Sequence, residues 1–484
     1  MKAALLLLMG AIAFASTASA NPGHRYKRLS RRDTSDGSGE GGGSSQDQGV
    51  GEAVFLTPLI EAGNFEEALK KSKVGKIGDL PDLLSYSGFI TVNKELGSNL
   101  FFWFFPAQED PENAPVSLWL QGGPGTSSLE GLFVEHGPYY IDENGDAQLR
   151  DVTWTRTISM LYVDNPVGTG FSFTESEEGY ATNQDDVSRD MLEMLQQFFT
   201  LFSDYSSNDF YLSGESYAGK YVPSIGAALH ESRDQLRVPI NFKGIAVGNG
   251  MTDPLTMLLY GEFLYYIGLM DRRQASQMQE ACDQVKSLIR EEDYLNAGLQ
   301  ATSLILGVVA GTPTLFGNET GYEYAYNYLL TQKPESHERY KSFVKKPSVR
   351  KALNVGQMPY DGTSSKVALY LAQDLMKSVR DKLALLADNY KVLMYSGHLD
   401  VVVTTAATET LMYTLEWSGS NEWTDAEKKI WYSSDGEHVH GYAKSAKSVT
   451  FVIVRDAGHI MPNDQPEAAY DMITRYINDV PFAE

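Results

Sequence analysis

Residues 209–221 read Asp-Phe-Tyr-Leu-Ser-Gly-Glu-Ser-Tyr-Ala-Gly-Lys-Tyr. A short apolar strand runs into Gly214-x-Ser216-x-Ala218-Gly219, and helical spacing follows over 222–230. Small residues are needed where a serine sits on a tight, strained turn from strand to helix, with its hydroxyl exposed at the strand's carboxyl end. Ala218 stands where the usual pattern has glycine. A Gly-x-Ser-x-small string is common by chance; the strand before it and the helix after it give it weight. Such a turn belongs on the edge of an open α/β sheet, where ligands meet the carboxyl ends of the strands.

The rest of the chain fits that demand. Strand-like runs at 88–92 and 100–105 predict an early hairpin, and 56–69 a short helical arm, with order beginning near Val54. Runs at 116–120, 158–163, 209–212, 242–247, 391–395 and 450–454 are short and apolar, the last two closing the set. Helical spacing over 185–202 separates some of them. Continuous apolar strands alternating with helices predict a mostly parallel sheet covered on both faces. From 253 to 349 the pattern is helical without convincing strands, which predicts an inserted cap over the carboxyl edge. The Tyr-rich stretch 322–328 inside it reads as packing. The expected division is 1–20 signal peptide, 21–50 disordered tail or propeptide, 51–252 first part of the core, 253–349 helical cap and 350–484 second part of the core.

A nucleophilic serine needs a base and a group to orient it, here in the chain order Ser, acid, His. Of eight histidines, His459 follows the strand 450–454 directly. His24 and His136 precede Ser216, His230 and His337 fall on helical segments, His398 precedes the acid candidate, and His438 and His440 read as a polar loop. Asp400 lies just past the strand 391–395. Ser216, Asp400 and His459 are the candidate triad. The second strand-end loop, Gln121-Gly122-Gly123-Pro124-Gly125, could bring backbone N–H groups to a substrate carbonyl oxygen, each donor contributing about 3 kcal/mol to the transition state.

Four segments, 119–128, 214–219, 397–400 and 458–466, together with 164–172, resemble the serine carboxypeptidases, members of the α/β-hydrolase fold, over roughly residues 85–480. Segments 101–108, 119–128 and 135–139 are most similar to the vitellogenic-like branch. The resemblance implies an exopeptidase that releases C-terminal amino acids through an acyl-enzyme. It implies Gly123 and Tyr217 as oxyanion donors. It also implies Gln121, Gly122, Glu135 and Glu215 as the clamp on the substrate's free carboxylate, with Trp119 packed behind, and Glu130, Val134 and Ile460 near the departing residue. Two departures stand out. Gln121 replaces the family's usual Asn, and Thr126 replaces a cysteine that many members use in a disulfide.

Three carboxylates cannot ionise side by side, so the pKa values of Glu135 and Glu215 should rise. Protonated, they donate to the substrate; ionised, they repel it. Peptide cleavage is therefore expected to be favoured at acidic pH. His459 must meanwhile be neutral to act as base, so the two requirements pull in opposite directions. The alternative for the glutamates is simple pairing with nearby cations.

Composition sets the remaining bounds. A net charge of −23 and a pI near 4.8 exclude nucleic acid as partner, since phosphate binding needs clustered Lys and Arg. Cys282 is the single cysteine, so no intrachain disulfide and no cysteine-based metal site can form. No metal and no organic cofactor is expected. His438-Val439-His440 lacks a third ligand, and Gly168-Thr169-Gly170 is only half of a dinucleotide fingerprint. Lys2, the apolar run 3–14 and Ala18-Ser19-Ala20 predict a signal peptide cleaved before Asn21, hence a secreted or lysosomal chain without a membrane anchor. Asn318-Glu319-Thr320 is the glycosylation sequon. The pairs Lys27-Arg28 and Arg31-Arg32 fit either processing sites or a solvated basic tail. The expected partners are peptides or proteins with a free C-terminus, with a homodimer as the candidate assembly. An esterase or acyltransferase with the same triad, and a binding protein with silent chemistry, are the rival readings.

Overall fold

A computed structural model of the chain describes residues 49–78, 80, 83–307 and 313–483. The signal-peptide and dibasic readings lie outside the described residues. Strands β1 (Tyr86–Asn93) and β2 (Ser98–Phe105) form the early hairpin. The others are β3 (Val116–Leu120), β4 (Tyr139–Ile141), β5 (Ala147–Leu149), β6 (Ser159–Val163), β7 (Phe210–Glu215), β8 (Phe242–Gly248), β9 (Lys391–Gly397), β10 (Lys429–Tyr432), β11 (Val439–Ala446) and β12 (Val449–Val454). Ten strands make one sheet in the order β1-β2-β6-β3-β7-β8-β9-β12-β11-β10, while β4 and β5 pair apart. The central strands β6, β3, β7, β8, β9 and β12 are parallel. Antiparallel strands close both edges.

Burial on both faces explains the unbroken apolar runs. Along β3, Leu118 and Leu120 face one core and Trp119 the other; along β8, Ile245 and Val247 oppose Ala246. The period of two is that of the pleat. Helices Gln184–Leu201 and Ala218–Ser232 cover the first face, and Pro466–Ile477 the second. Asn183 caps the first of these through its side chain, accepting from the N–H groups of Asp185 and Asp186. A fully buried Leu or Met contributes roughly 2 kcal/mol, so this two-sided core can stand without cross-links. Cys282, buried in helix Arg272–Arg290, belongs to the first core as one more apolar residue.

Several expectations need correction. β10 and β11 lie between the two strands read as the last. They escape notice because they are half-polar strands at the end of the sheet: three of the four residues of the edge strand β10 are exposed, and half of β11 is not buried. His440 is therefore on β11, its ring against Trp431 at 5.0 Å, rather than in a loop with His438. The arm at 56–69 is two helices, Thr57–Glu61 and Phe65–Ser72. Order starts before Val54, since Val50 is already buried. The elbow helix begins at Ala218 rather than at 222. Pro223 inside it lacks the N–H that would bond the Gly219 carbonyl, and the buried Thr252 hydroxyl donates to that carbonyl instead, at 2.9 Å. Among the described residues of 253–349 there is no strand, and no described helix is long and apolar enough to cross a membrane.

Candidate active site

Because the six central strands are parallel, their carboxyl ends share one edge. β3 leads into Gln121, β6 into Asp164, β7 into Ser216, β8 into Asn249, β9 into Asp400 and β12 into His459. Tertiary topology thus brings together residues up to about 340 positions apart in the chain, as parallel strands require.

Ser216 occupies the left-handed region at φ +63°, a conformation that costs a non-glycine residue of order 1–3 kcal/mol. Bonds on both sides hold it there. Its N–H donates to Gly248 O at 3.0 Å, and its carbonyl accepts from Gly219 N at 2.9 Å and Met251 N at 3.0 Å. It is the only partly exposed residue between Phe210 and Ala227, so its hydroxyl meets solvent from a buried frame.

His459 Nδ1 and Asp400 Oδ2 are 2.7 Å apart, both residues buried. The other carboxylate oxygen of Asp400 accepts from Val402 N at 2.7 Å. Burial raises the Asp400 carboxyl, and the neighbouring imidazole opposes the shift. The second ring nitrogen of His459, Nε2, is buried with no hydrogen-bond partner in the protein. One imidazole nitrogen is thereby oriented and the other left available, the arrangement a general base requires.

The loop after β3 lies directly on the serine turn. A β-carbon on Gly122 would sit 2.6 Å from both Ser216 Cβ and Tyr217 N, so only glycine permits this approach. Gly123 takes φ +110°, closed to other residues. Asp164 anchors the loop from β6. Its Oδ1 accepts from Ser127 Oγ at 2.5 Å and Ser128 N at 3.1 Å, and its Oδ2 from Phe171 N at 2.8 Å. Burial lifts the Asp164 carboxyl to about 7.

Beside this turn stand two buried glutamates. Glu215 ends β7; Glu135 lies on the single π-helical turn Gly131–His136. Trp119 Nε1 donates to Gln121 Oε1 at 2.9 Å, and Gln121 Nε2 donates to Glu215 Oε1 at 3.1 Å. Glu215 Oε2 and both oxygens of Glu135 are buried without a hydrogen bond of ordinary geometry. Neither glutamate is in a salt bridge among the described residues; the charge of Arg150 acts on Glu135 and opposes its rise without cancelling it. Burial, reinforced by the charge of Glu130, pushes Glu135 up to about 8. Burial and the charge of Glu135 hold Glu215 well above the ordinary range. Glu130, Val134 and Ile460 are buried as well, and burial raises Glu130. His136, following Glu135, is stacked on Trp154 at 4.0 Å with its Nδ1 3.1 Å from Tyr162 Oη.

Sequence reasoning missed three supports of the site. Asn249 donates to Gly458 O at 3.1 Å and His459 O at 2.5 Å, and accepts from Gly397 N at 2.8 Å, so it joins the acid and base loops. Tyr326 does more than pack: its carbonyl accepts from His459 N at 2.6 Å and its ring lies 4.6 Å from the imidazole. A buried pair, Lys220 and Asp374, lies under the elbow helix. Only Asn249, in Gly-Asn-Gly just past a strand, carries a signal of the kind used for the triad. Asn318 is exposed on the short helix Leu315–Thr320.

A sheet of this order, a serine at a left-handed turn after one strand and a His–Asp pair after two others define a serine hydrolase of the α/β-hydrolase class. The comparisons narrow this. The family model described as serine carboxypeptidase matches residues 76–479, and the chain belongs to that family. The human protein named probable serine carboxypeptidase CPVL is 48% identical over 431 residues, covering 88% of this chain and 90% of the relative. The venom serine carboxypeptidase of Apis mellifera is 43% identical, covering 90% and 93%. The vitellogenic carboxypeptidase of Aedes aegypti is 40% identical, covering 88% and 90%. Among solved structures, Kex1(delta)p, a prohormone-processing carboxypeptidase of Saccharomyces cerevisiae, matches with a TM-score of 0.72 at 23% identity. It covers 85% of this chain and 96% of that one. That likeness shows the α/β-hydrolase fold. The chain is a serine carboxypeptidase, a peptide hydrolase.

Proposed function

We propose that Ser216, His459 and Asp400 carry out the hydrolysis, and that Glu135 and Glu215 make it specific for a free C-terminus. His459 Nε2 takes the Ser216 proton as Oγ adds to the last peptide carbonyl. The tetrahedral oxyanion is held by the backbone N–H groups of Gly123 and Tyr217. Collapse breaks the C–N bond, and the leaving amine takes the proton from His459. Water, deprotonated by the same imidazole, then attacks the acyl-enzyme and releases the shortened peptide. Asp400 holds the ring in orientation and stabilises the imidazolium.

The observation that carries the specificity is the buried pair Glu135 and Glu215 beside the serine turn, with three of their four carboxyl oxygens free of a hydrogen bond of ordinary geometry. Protonated carboxyls there can donate to an incoming carboxylate, as Gln121 and the backbone of Gly122 can. Once ionised, they repel it. Peptide cleavage is accordingly favoured at acidic pH. We read the chain as one catalytic unit interrupted by a cap at 253–349, entering the secretory pathway and glycosylated at the exposed Asn318.

The test uses a blocked dipeptide with either a free or an amidated C-terminus, at about pH 5 and about pH 9, on either side of the Glu135 titration, with Ser216→Ala as control. Strong preference for the free acid at the lower pH supports the reading. Equal rates on acid and amide sink the clamp, and turnover by Ser216→Ala sinks the nucleophile.

A further inference from the structure

The elbow helix buries a charge that the hydrolytic steps do not use. Lys220 is fully buried, and its ammonium lies 2.7 Å from Asp374 Oδ2, also buried. It donates to the Asp374 main-chain oxygen too. The same Oδ2 accepts from Tyr217 Oη at 2.9 Å and from Gln184 Nε2 at 2.6 Å. Tyr217 and Lys220, three residues apart at the helix start, share a face, and both reach one carboxylate.

Stability does not account for this arrangement. A cation in the first turn sits at the positive end of the helix dipole, which is unfavourable. Buried ion pairs seldom recover their desolvation cost, and apolar replacements are often as stable or more so. Burial lowers the Lys220 ammonium to about 8 against the pull of Asp374, with Lys377 and Lys382 adding repulsion.

What the pair does reach is the chain on either side of the serine turn. Asp374 ends a segment whose earlier part grips the loop after β3. Ser364 N donates to Gly125 O at 2.8 Å, Ser127 N donates to Gly362 O at 3.1 Å, and Thr126 bridges Thr363. Asp361 and Gly170 exchange backbone bonds of 2.9 and 2.8 Å, extending the grip to the loop after β6. One stretch, residues 361–374, is thus bonded at its start to the loop bearing Gly123 and at its end to the side chain of Tyr217.

We propose that residues 361–374 form a brace setting the spacing of the two oxyanion donors, with Asp374 as its positioning residue through Tyr217 and Lys220. The proposal rests on Gly123 and Tyr217 being those donors. A backbone N–H displaced by a fraction of an ångström loses more against the transition state than against bound substrate, because it is aimed at the position the oxyanion takes.

Two variants test it: Tyr217→Phe, which removes one hydroxyl from the carboxylate, and Asp374→Ala, which removes the anchor. Active sites are counted with a fluorophosphonate, so misfolded protein does not enter kcat. Expected are kcat losses of roughly threefold to tenfold and roughly 30-fold to 100-fold, with KM within about twofold. Affinity for a peptide aldehyde, whose adduct with Ser216 bears an oxyanion, should fall in parallel. Affinity for the matching peptide alcohol, which forms no adduct, should not. If Asp374→Ala does not fold, Tyr217→Phe still decides. Full kcat and unchanged aldehyde affinity in Tyr217→Phe overturn the brace, as does equal loss of aldehyde and alcohol binding. Turnover by Ser216→Ala would instead show that the site itself is misread.

Discussion

Replacing Glu135 by Gln probes the clamp where its chemistry is most exposed. The wild-type carboxyl titrates near 8 against an ordinary 4.5. Between those values the folded chain holds a proton that the unfolded chain releases. Stability from this group is therefore complete below about pH 4.5, declines as pH rises, and is lost once pH passes about 8. The slope is about 1.4 kcal/mol per pH unit for one proton. From about pH 5 to about pH 8 that amounts to about 4 kcal/mol, and for a chain of this length to about 4 °C in Tm. The Gln amide has the same shape and no proton to lose. The melting difference between about pH 5 and about pH 8 should shrink by that amount in Glu135→Gln. Peptide kcat/KM of the wild type should fall on passing about pH 8, as the ionising clamp repels the substrate carboxylate. In the variant Glu135 drops out of that limb, which then reports Glu215 alone, freed of the charge of Glu135. Differential scanning calorimetry and initial rates across the pH range measure both. Identical melting differences and identical alkaline limbs in the two proteins refute the reasoning. So does a wild-type kcat/KM on peptides that is higher at about pH 8 than at about pH 5.

Other expectations concern the frame. Gly122→Ala would place a β-carbon 2.6 Å from Ser216 Cβ and Tyr217 N; both belong to the turn and cannot swing away. Activity should fall by about 100-fold or more, while thermal unfolding shows a loss of about 1–3 kcal/mol. Asn249→Ala removes the bonds to Gly397, Gly458 and His459 and leaves buried backbone groups unpaired. Denaturant titration should register a loss of about 3 kcal/mol. kcat should fall more than KM rises, because the acid and base loops lose their common anchor; a proportional change in both would contradict that role.

The fold was legible where a segment carries its own reason for its shape. The apolar runs at β3, β7, β8, β9 and β12 are buried on both faces, so local composition announces them. β10 and β11 are not announced, because β10 at the edge and β11 beside it are only partly buried and carry polar residues through their length. The placement of Ser216, Asp400 and His459 was legible for a related reason: each lies just past a strong strand. Lys220, Asp374, Gln184 and Tyr326 were not readable as a group. Their positions relate only through packing.

The chain's own sequence determined the strained serine turn, the glycines that let a loop approach it, and the strand ends that carry Asp400 and His459. These are local, since backbone geometry and side-chain size act over a few residues. Only the tertiary structure decided that Glu135 and Glu215 would be buried together, with burial outweighing the charge of Arg150. It likewise decided that Asn249 would tie the acid and base loops, and that residues 361–374 would bind the Gly122–Gly125 loop at one end and Tyr217 at the other. Burial and the electrostatics that follow from it belong to the assembled core, where distant segments exclude water from each other's charges.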